Sequence, residues 1–520
     1  MRRTLAATAA PTLALTLATT LAFAMTLAFA STLAFDAAAS PLMDLTGGTD
    51  GMGGLQARTV AGGASAAYFN PALLVDAPVG LTIGVLAVSE QIGISLDGRP
   101  STASAVPDGI ANASHAGGVA LSGVPIATNL LQNGRTATKL NGALASRPRQ
   151  AAGSGHETTV YETLGFAARL FDDQLAIGFY GIVPDGDFTK LDAFYNDERE
   201  QYFSNSLHPE LYSDRLVSVS LAFGAAWKFS SALSVGLGAS LMLHAGVVAP
   251  TYVANAANLG NILIDTNASV NVSVSPHMGV AYAPTRRVHL TGTVAAPEKN
   301  EMDVDFTFLL PNGLQQGSTF PLLYDYMPWQ VALGGTYDLV QNGDESFSLA
   351  ATAVYEKWSD YLDRHAATPS GPYRWYDTIT PTVGARYHQG PTGAFLDLQY
   401  KPSPVPAQTG RTNYVDNDRL GAGGGFDYAF TVKHTAMHVG AQAQAFWLVP
   451  RHQTKLPTPS EPDGLNHYPN LVTDEVPDDT ELSGAPFAGS AGLQTNNPGW
   501  PGFGSAGVIF GGGLYVSVTP

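Results

Sequence analysis

The sequence predicts an all-β protein, a fourteen-stranded antiparallel transmembrane β-barrel, on three observations. Apolar residues alternate with small or polar ones in segment after segment, which is the period of a strand with two different faces. Several of these segments exceed the roughly 9 to 11 residues that a tilted strand needs to cross a bilayer. Only 13% of the 520 residues are charged, about half the proportion usual in soluble domains, so much of the surface is expected to face lipid.

The N-terminus has the features of a secretory signal. Arg2 and Arg3 precede a long Ala/Leu/Thr run, as the charged and apolar regions of a signal peptide do. Cleavage sites of the small-x-small type lie at Ala28–Ala30 and Ala37–Ala39, and the later one gives a signal over residues 1–39. The alternative, a retained helical anchor, is disfavoured by the many threonines in the run. No later stretch approaches the roughly 20 apolar residues of a membrane-spanning helix.

Composition excludes several classes of function. The chain has no cysteine, which excludes a disulfide framework, a thiolate metal site and a cysteine nucleophile. Its formal net charge of −17 argues against a nucleic-acid partner, because phosphate binding needs clustered Lys and Arg. No residue pattern indicates a cofactor or a metal site.

The clearest hairpin runs from Arg215 to Leu243. Val217, Val219 and Leu221 begin a row of apolar residues on one face of its first arm, and Leu233 begins a similar row on the second. A short turn, Ser230-Ser231, joins the two arms. The same signature recurs between Leu81 and Thr519 and gives about fourteen strands, an even number as in bacterial barrels.

Connection lengths predict the orientation of the barrel. Short turns always follow even-numbered strands, whereas the other connections are long, as in an outer-membrane barrel with both ends in the periplasm. Aromatic residues near strand ends are expected to form interfacial girdles. A soluble β-sandwich or propeller is the alternative, but it should have shorter strands. The short turns are Asp172-Asp173, Ser230-Ser231, 284–286, 341–344, Gly390-Pro391 and 431–433, and the girdle residues are Trp227, Phe229, Tyr337, Tyr387, Phe430 and Trp447.

The segment before the first strand carries a recognisable motif. Gly62–Leu74 is rich in Ala and Gly and contains Tyr68-Phe69-Asn70-Pro71-Ala72. It resembles the N-terminal plug of the outer-membrane long-chain fatty acid and hydrocarbon transporters (FadL/TodX-like), which ends in Tyr-x-Asn-Pro-Ala. Weaker matches follow in order along the mature chain, at Ala176–Gly178, Ala225–Lys228, Glu356–Ser359 and Tyr400–Pro406.

The resemblance implies a domain organisation. Residues 40–77 would form a hatch in the lumen, with Asn70, Pro71 and Ala72 as its motif, and residues 78–520 would form the barrel. The side chain of Asn70 can form a hydrogen bond with nearby backbone, and the ring of Pro71 restricts the direction of the chain. Two features depart from the pattern: the chain lacks a terminal aromatic, which leaves recognition by the barrel assembly machinery in doubt, and the last loop, 450–504, is long enough for a distinct cap.

The resemblance also implies a lateral exit through an inward kink in the third strand. That strand, predicted over Gln174–Pro184, contains Gly178 and Gly181, and both glycines and Pro184 can interrupt a ladder. The alternative is that the glycines only fit a crowded lumen.

Candidate ligand anchors are cations on the inward face. By parity, Arg169 and Arg386 are the candidates for holding a carboxylate ligand. The alternative is that these lumen cations form ion pairs with residues such as Asp397 or Asp427 and do not bind a ligand. Other residues with inward parity are Lys228, His244 and Gln442.

The predicted function is passive uptake of hydrophobic molecules such as fatty acids by a monomer in contact with outer-membrane lipid and lipopolysaccharide. The apolar stretches Val304–Leu310 and Leu322–Met327, assigned to loops, are expected to help form an extracellular pocket. An open porin is the second hypothesis, and a serine hydrolase on a barrel scaffold is the third. Gly502–Gly507 matches GxGxxG, but it precedes a terminal strand and no helix, so a nucleotide site is excluded.

Overall fold

The architecture is taken from a computed structural model. It describes residues 40–97, 151–153, 157–186, 208–209, 211, 216, 219–243, 248–253, 262–270, 273–309, 315–363, 366, 368–369, 371–409, 414–454 and 502–519. Within these ranges, no helix combines the length and apolar character needed to span a membrane. The predicted signal peptide and most of the last loop lie outside the described residues.

Three short helices precede the barrel. Helix α1 covers Pro41–Thr46, helix α2 covers Ala66–Phe69, and a 3-10 helix covers Pro71–Val75. The side chain of Ser40 caps α1 by accepting a hydrogen bond from the Met43 amide (3.2 Å), and a proline at the first helical position needs no such partner. We call residues 40–77 the hatch.

Fourteen long antiparallel strands form one closed sheet. Each strand pairs with its sequence neighbours, and β1 pairs with both β2 and β14, so the fourteen strands close into a barrel. A fifteenth member of the sheet, Ala151–Gly153, pairs only with the far end of β1. The strands are β1 Gly80–Leu96, β2 Glu157–Leu170, β3 Leu175–Pro184, β4 Val219–Ser230, β5 Leu233–Leu243, β6 Ser273–Tyr282, β7 Val288–Ala295, β8 Gln330–Asn342, β9 Glu345–Glu356, β10 Thr378–Gln389, β11 Thr392–Lys401, β12 Arg419–Val432, β13 Thr435–Thr454 and β14 Gly502–Thr519.

The predicted strand number and turn pattern are confirmed. Short turns follow the even-numbered strands, and both chain ends of the barrel lie at this short-turn end, where Leu81 pairs with Val518. Tight turns need left-handed backbone, which is found at Gly343 (φ 59°), Gly390 (φ 55°) and Lys433 (φ 59°). The opposite, long-loop end carries the extended connections.

The two faces of the wall differ as the alternation predicts. Leu81, Ile83 and Val85 of β1 are exposed on the outer face, whereas the even-numbered residues from Thr82 to Ile94 are buried. Predicted girdle residues near the strand ends are also exposed, with Phe229 at 64% and Trp447 at 48%. Contiguous exposed apolar surface of this extent needs a partner, and a lipid bilayer supplies one all round.

A separate four-stranded antiparallel sheet corrects the loop assignment at the long-loop end. It consists of Val248–Val253, Ile262–Val270, Glu298–Leu309 and Gln315–Met327. The described parts of the two apolar stretches assigned to loops therefore lie in paired strands. Val304, for example, pairs with Phe320. Val270 also belongs to this sheet, where it pairs with Met302, and the barrel strand β6 begins only at Ser273.

Candidate functional site

The hatch lies inside the barrel and contacts its wall on several sides. Ser220 of β4 donates a hydrogen bond to Ser40 (2.7 Å). Gln444 of β13 donates to the carbonyl of Thr46 (3.2 Å). Thr59 lies 2.6 Å, oxygen to oxygen, from Thr352 of β9. Because these strands are far apart in the barrel order, the hatch occupies the lumen.

The Asn70-Pro71-Ala72 motif joins two helices of the hatch. Asn70 ends α2 and caps the following 3-10 helix, where its Oδ1 accepts from the Ala72 amide (3.2 Å). Its Nδ2 donates to the Arg58 carbonyl (3.0 Å), which fastens the two halves of the hatch together. Pro71 occupies the first position of the 3-10 helix, where a missing N–H is tolerated.

Glycines of the wall make room for this motif. A Cβ at Gly236 of β5 would collide with the backbone of Pro71 and Ala72, and one at Gly279 of β6 would collide with Asn70. One at Gly178 of β3 would lie 2.6 Å from Leu74 Cδ2. Inward glycines on neighbouring strands thus form a concave surface that fits the 3-10 helix. These glycines are visible in the sequence, but strand parity alone did not identify them as contacts of the motif.

Hydrogen bonds from the wall also hold the backbone of the hatch. His277 of β6 places Nε2 2.7 Å from the Ala67 carbonyl. Ser234 of β5 donates to the Ala72 carbonyl (3.0 Å). Arg169 of β2, a predicted ligand anchor, donates to the Ala77 carbonyl (3.0 Å) at the point where the hatch leads into β1. In this structure Arg169 therefore binds the hatch.

Arg386, the second predicted anchor, forms a buried ion pair. Its guanidinium donates to both oxygens of Asp397 at 2.6 and 3.1 Å, and the two side chains are 6% and 0% exposed. Arg386 also donates to the Gly53 carbonyl (2.7 Å), and Asp397 accepts from the Leu55 amide (3.0 Å). The pair therefore agrees with the alternative that lumen charges are paired with each other. It also holds the Gly53–Leu55 turn of the hatch through these two hydrogen bonds.

Asp50 is a buried carboxylic acid inside the hatch. It is 2% exposed and accepts from the Ser65 amide at 3.2 and 3.4 Å, which links the segment after α1 to the start of α2. Burial raises the pKa of Asp50 above its ordinary value, although the hydrogen bonds from Ser65 oppose the shift.

The interruption predicted in the third strand is not seen at the two glycines. The described pairing of β3 with β2 runs from Leu175 to Pro184 with no shift of register, and it includes both Gly178 and Gly181. Gly178 faces the hatch, whereas Gly181 contacts Leu221 and Phe179. On the other side, pairing with β4 ends at Ile182.

A polar network joins α1 to the wall. Arg58 donates to Asp44 of α1 (2.8 Å) and to Gln330 of β8 (2.6 Å). Gln330 in turn donates to Asp44 (2.7 Å) and to Glu356 of β9 (3.4 Å). Lys401 of β11 completes the network through an ion pair with Glu356 (3.1 Å).

Aromatic side chains at the long-loop end form a packed cluster above α1. The rings of Tyr361 and Trp375 stack with centroids 3.6 Å apart and 6° between planes, and Tyr414 meets both of them edge-on. Together with Tyr326 and Trp358 they make up what we call the loop aromatic cluster. Its residues come from connections far apart in the sequence, which is why parity along single strands did not predict it.

A small cavity separates this cluster from the hatch. It measures about 20 Å³ and is lined on the hatch side by Pro41, Asp44 and Leu45. Trp358 and Met327 line the loop side, and the wall contributes polar residues. We call it the hatch–loop cavity; its wall residues include Gln399, Lys401 and Arg419.

A larger cavity lies under the hatch at the short-turn end. It measures about 450 Å³, and its lining consists mainly of hydroxyl, histidine and charged side chains. Predicted inward residues Lys228 and Asp427 are among them, and Asp427 is engaged by His438 (3.2 Å) and Tyr515 (2.5 Å).

Gln442 is buried at 8% exposure on the lumen side, whereas His244 lies outside the described residues. The ends of the predicted last loop belong to strands, because β13 extends to Thr454 and β14 starts at Gly502. The GxGxxG match accordingly lies in a strand. Within the described part of the chain, no group of His, Cys, Asp and Glu is arranged to hold a metal ion.

Comparison with known proteins gives structural matches only. No protein-family model matches the sequence, and no curated protein matches it significantly. A Pseudomonas aeruginosa FadL homologue superposes with a TM-score of 0.52 at 15% identity, covering 92% of this chain and 99% of that chain. The Pseudomonas putida toluene transporter TodX (TM-score 0.43, 13% identity, 92% and 98% covered) and the Ralstonia pickettii toluene transporter TbuX (0.40, 12%, 92% and 97%) align less closely.

The likeness to the FadL homologue extends over almost the whole of both chains. It agrees with the closed sheet and the count of fourteen strands in the described barrel. The chain therefore has the FadL-like fold, a fourteen-stranded antiparallel β-barrel.

Proposed function

We propose that this protein mediates passive uptake of hydrophobic molecules across the outer membrane. The observation that carries the proposal is a barrel with an apolar outer wall, a lumen occupied by residues 40–77, and an apolar loop aromatic cluster that borders α1 of the hatch across the hatch–loop cavity. The FadL-like fold and the Tyr-x-Asn-Pro-Ala resemblance support it.

Capture takes place at the loop aromatic cluster. Transfer of an acyl or aromatic group from water to an apolar site contributes about 0.8 kcal/mol per CH₂, so a few carbons give useful binding without a dedicated charged anchor. Leu42, Met43 and Leu45 of α1 are themselves buried beside the cluster. A hydrophobic ligand therefore competes with α1 for the same apolar surroundings.

Passage requires the hatch to rearrange, since its residues block the direct route. The chamber below the hatch is lined by both polar and apolar side chains and lies at the short-turn end. Release sideways through the wall into the bilayer avoids this chamber. β3 is the proposed exit, as the resemblance to the FadL/TodX-like transporters implies. Neither a cofactor nor an energy source is invoked, and the protein acts as a monomer inserted by the barrel assembly machinery.

The proposal is tested with liposomes that contain the purified barrel. A fluorescent fatty acid or a labelled aromatic hydrocarbon should equilibrate across the membrane faster than in protein-free liposomes, whereas a small sugar should not. Rapid sugar entry would instead indicate a porin. Hydrolysis of an ester probe, lost on substitution of a single serine, would indicate an enzyme.

A further inference from the structure

Two buried indole groups of the loop aromatic cluster have N–H groups with no acceptor among the residues that the structure describes. Trp358 and Trp375 are 0% and 2% exposed. Buried tryptophan N–H groups usually find an acceptor, and an exception in a site calls for an explanation.

Trp358 also lines the hatch–loop cavity, and so does a second donor of this kind. The Nε of Arg419, a residue 5% exposed, has no acceptor within the described ranges. The carboxylate of Asp44 in the same lining already accepts from Arg58, Gln330 and Tyr68. Two residues of the cavity lining thus carry buried donors whose complement is an accepting oxygen, and the cavity volume of about 20 Å³ suits a group near the size of one water.

The charges around the cavity are balanced. Lys401 is matched by Glu356 at 3.1 Å, Arg58 by Asp44 at 2.8 Å and Arg419 by Asp416 at 3.7 Å. A carboxylate ligand would add a negative charge to a buried site in which Lys401, Arg58 and Arg419 each already have an acidic partner, which is costly. An uncharged oxygen acceptor adds hydrogen bonds without that cost.

We propose that the loop site selects uncharged hydrophobic molecules that carry one hydrogen-bond-accepting oxygen, such as esters or ketones, over both hydrocarbons and free carboxylates. The oxygen accepts from Trp358 Nε1 in the hatch–loop cavity, and the apolar body packs against the loop aromatic cluster as α1 moves away. This inference rests on the proposed function and names its substrate class.

The test uses three probes that share one ring system: 2-methylnaphthalene, methyl 2-naphthoate and 2-naphthoate. Their binding to the full-length protein in detergent is measured by titration calorimetry. The ester should bind about tenfold more tightly than either other probe, since one good hydrogen bond to a buried donor is worth about that factor. Trp358→Phe keeps an aromatic side chain but removes the N–H, so the ratio of ester to methylnaphthalene affinity should fall to about one.

Trp375→Phe is the matched control, because Trp375 belongs to the same cluster but does not line the hatch–loop cavity. It should keep the preference for the ester. Equal binding of all three probes to the wild type, or an ester preference that survives Trp358→Phe, overturns the inference and leaves hydrophobic uptake standing. Failure of all three probes to bind, together with no transport into liposomes, overturns the proposed function as well.

Discussion

At the scale of single residues, the Arg386–Asp397 pair links the wall to the hatch. Asp397→Ala leaves a buried guanidinium without its carboxylate and removes the acceptor for the Leu55 amide. We expect a loss of about 3–5 kcal/mol in the free energy of unfolding, measured by urea titration of the refolded barrel. The double variant Arg386→Met, Asp397→Leu should recover much of it. A double variant as unstable as Asp397→Ala would contradict this reading of the pair.

Asp50 makes docking of the hatch depend on pH. Its pKa in the folded protein is raised by burial, so the folded state binds the proton more tightly than the unfolded chain does. The resulting stabilisation is complete below the ordinary carboxyl pKa and is lost as pH rises through the raised value. The protection factors of the amides of residues 48–65 against hydrogen exchange should therefore fall across that window.

Asp50→Asn should flatten this pH dependence while its side-chain oxygen still accepts from Ser65. Asp76→Asn, at an exposed position of the hatch, serves as control and should behave like the wild type. An unchanged pH profile in Asp50→Asn would show that another group titrates.

At the scale of elements, the fit between the 3-10 helix and the glycines of the wall sets the position of the hatch. Gly236→Ala would push against the backbone of Pro71 and Ala72, and overpacking of this kind costs about 1–3 kcal/mol. The amides of residues 72–75 should lose protection against hydrogen exchange. Gly512→Ala is the control, because the only heavy atom near its added Cβ is the Gln442 carbonyl oxygen at 3.6 Å. Equal protection in the two variants would argue against the close fit.

The sequence predicted elements unequally, for physical reasons. Strands such as β4 and β5 were predictable because one face meets apolar surroundings and the other meets the hatch, which produces the period of two. The four-stranded sheet was missed because length and turn parity identified only strands of the barrel. The Asn70 motif located the hatch, but its partners Gly236 and Gly279 lie far along the chain, and only the closed sheet brings them to it.

At the scale of the whole molecule, the outer wall should be stable only against lipid. Leu237 lies in the middle of β5 and is 52% exposed, whereas Phe229 lies near the short-turn end of β4. Leu237→Arg should cost about 2–4 kcal/mol of folding free energy in bilayers, and Phe229→Arg only about 0–1 kcal/mol. Unfolding titrations of barrels folded into vesicles measure both. Similar costs at the two positions would contradict the assigned membrane span.

The candidate site was predictable only in part at this scale. Strand parity placed Arg169 and Arg386 on the inward face, but it could not show that both donate to backbone carbonyls of the hatch, which is remote in sequence. The loop aromatic cluster was likewise out of reach, because Trp358 and Tyr414 meet only after the barrel closes.

The central claim, that hydrophobic molecules pass only when the hatch moves, is tested most directly by a reversible crosslink. The chain has no cysteine, so Thr59→Cys with Thr352→Cys introduces a single pair at positions whose side-chain oxygens lie 2.6 Å apart. Oxidation should stop uptake of a fluorescent fatty acid or aromatic probe into liposomes, reduction should restore it, and Thr59→Cys alone should respond to neither. Uptake at the same rate in the oxidised and reduced double variant would contradict the claim.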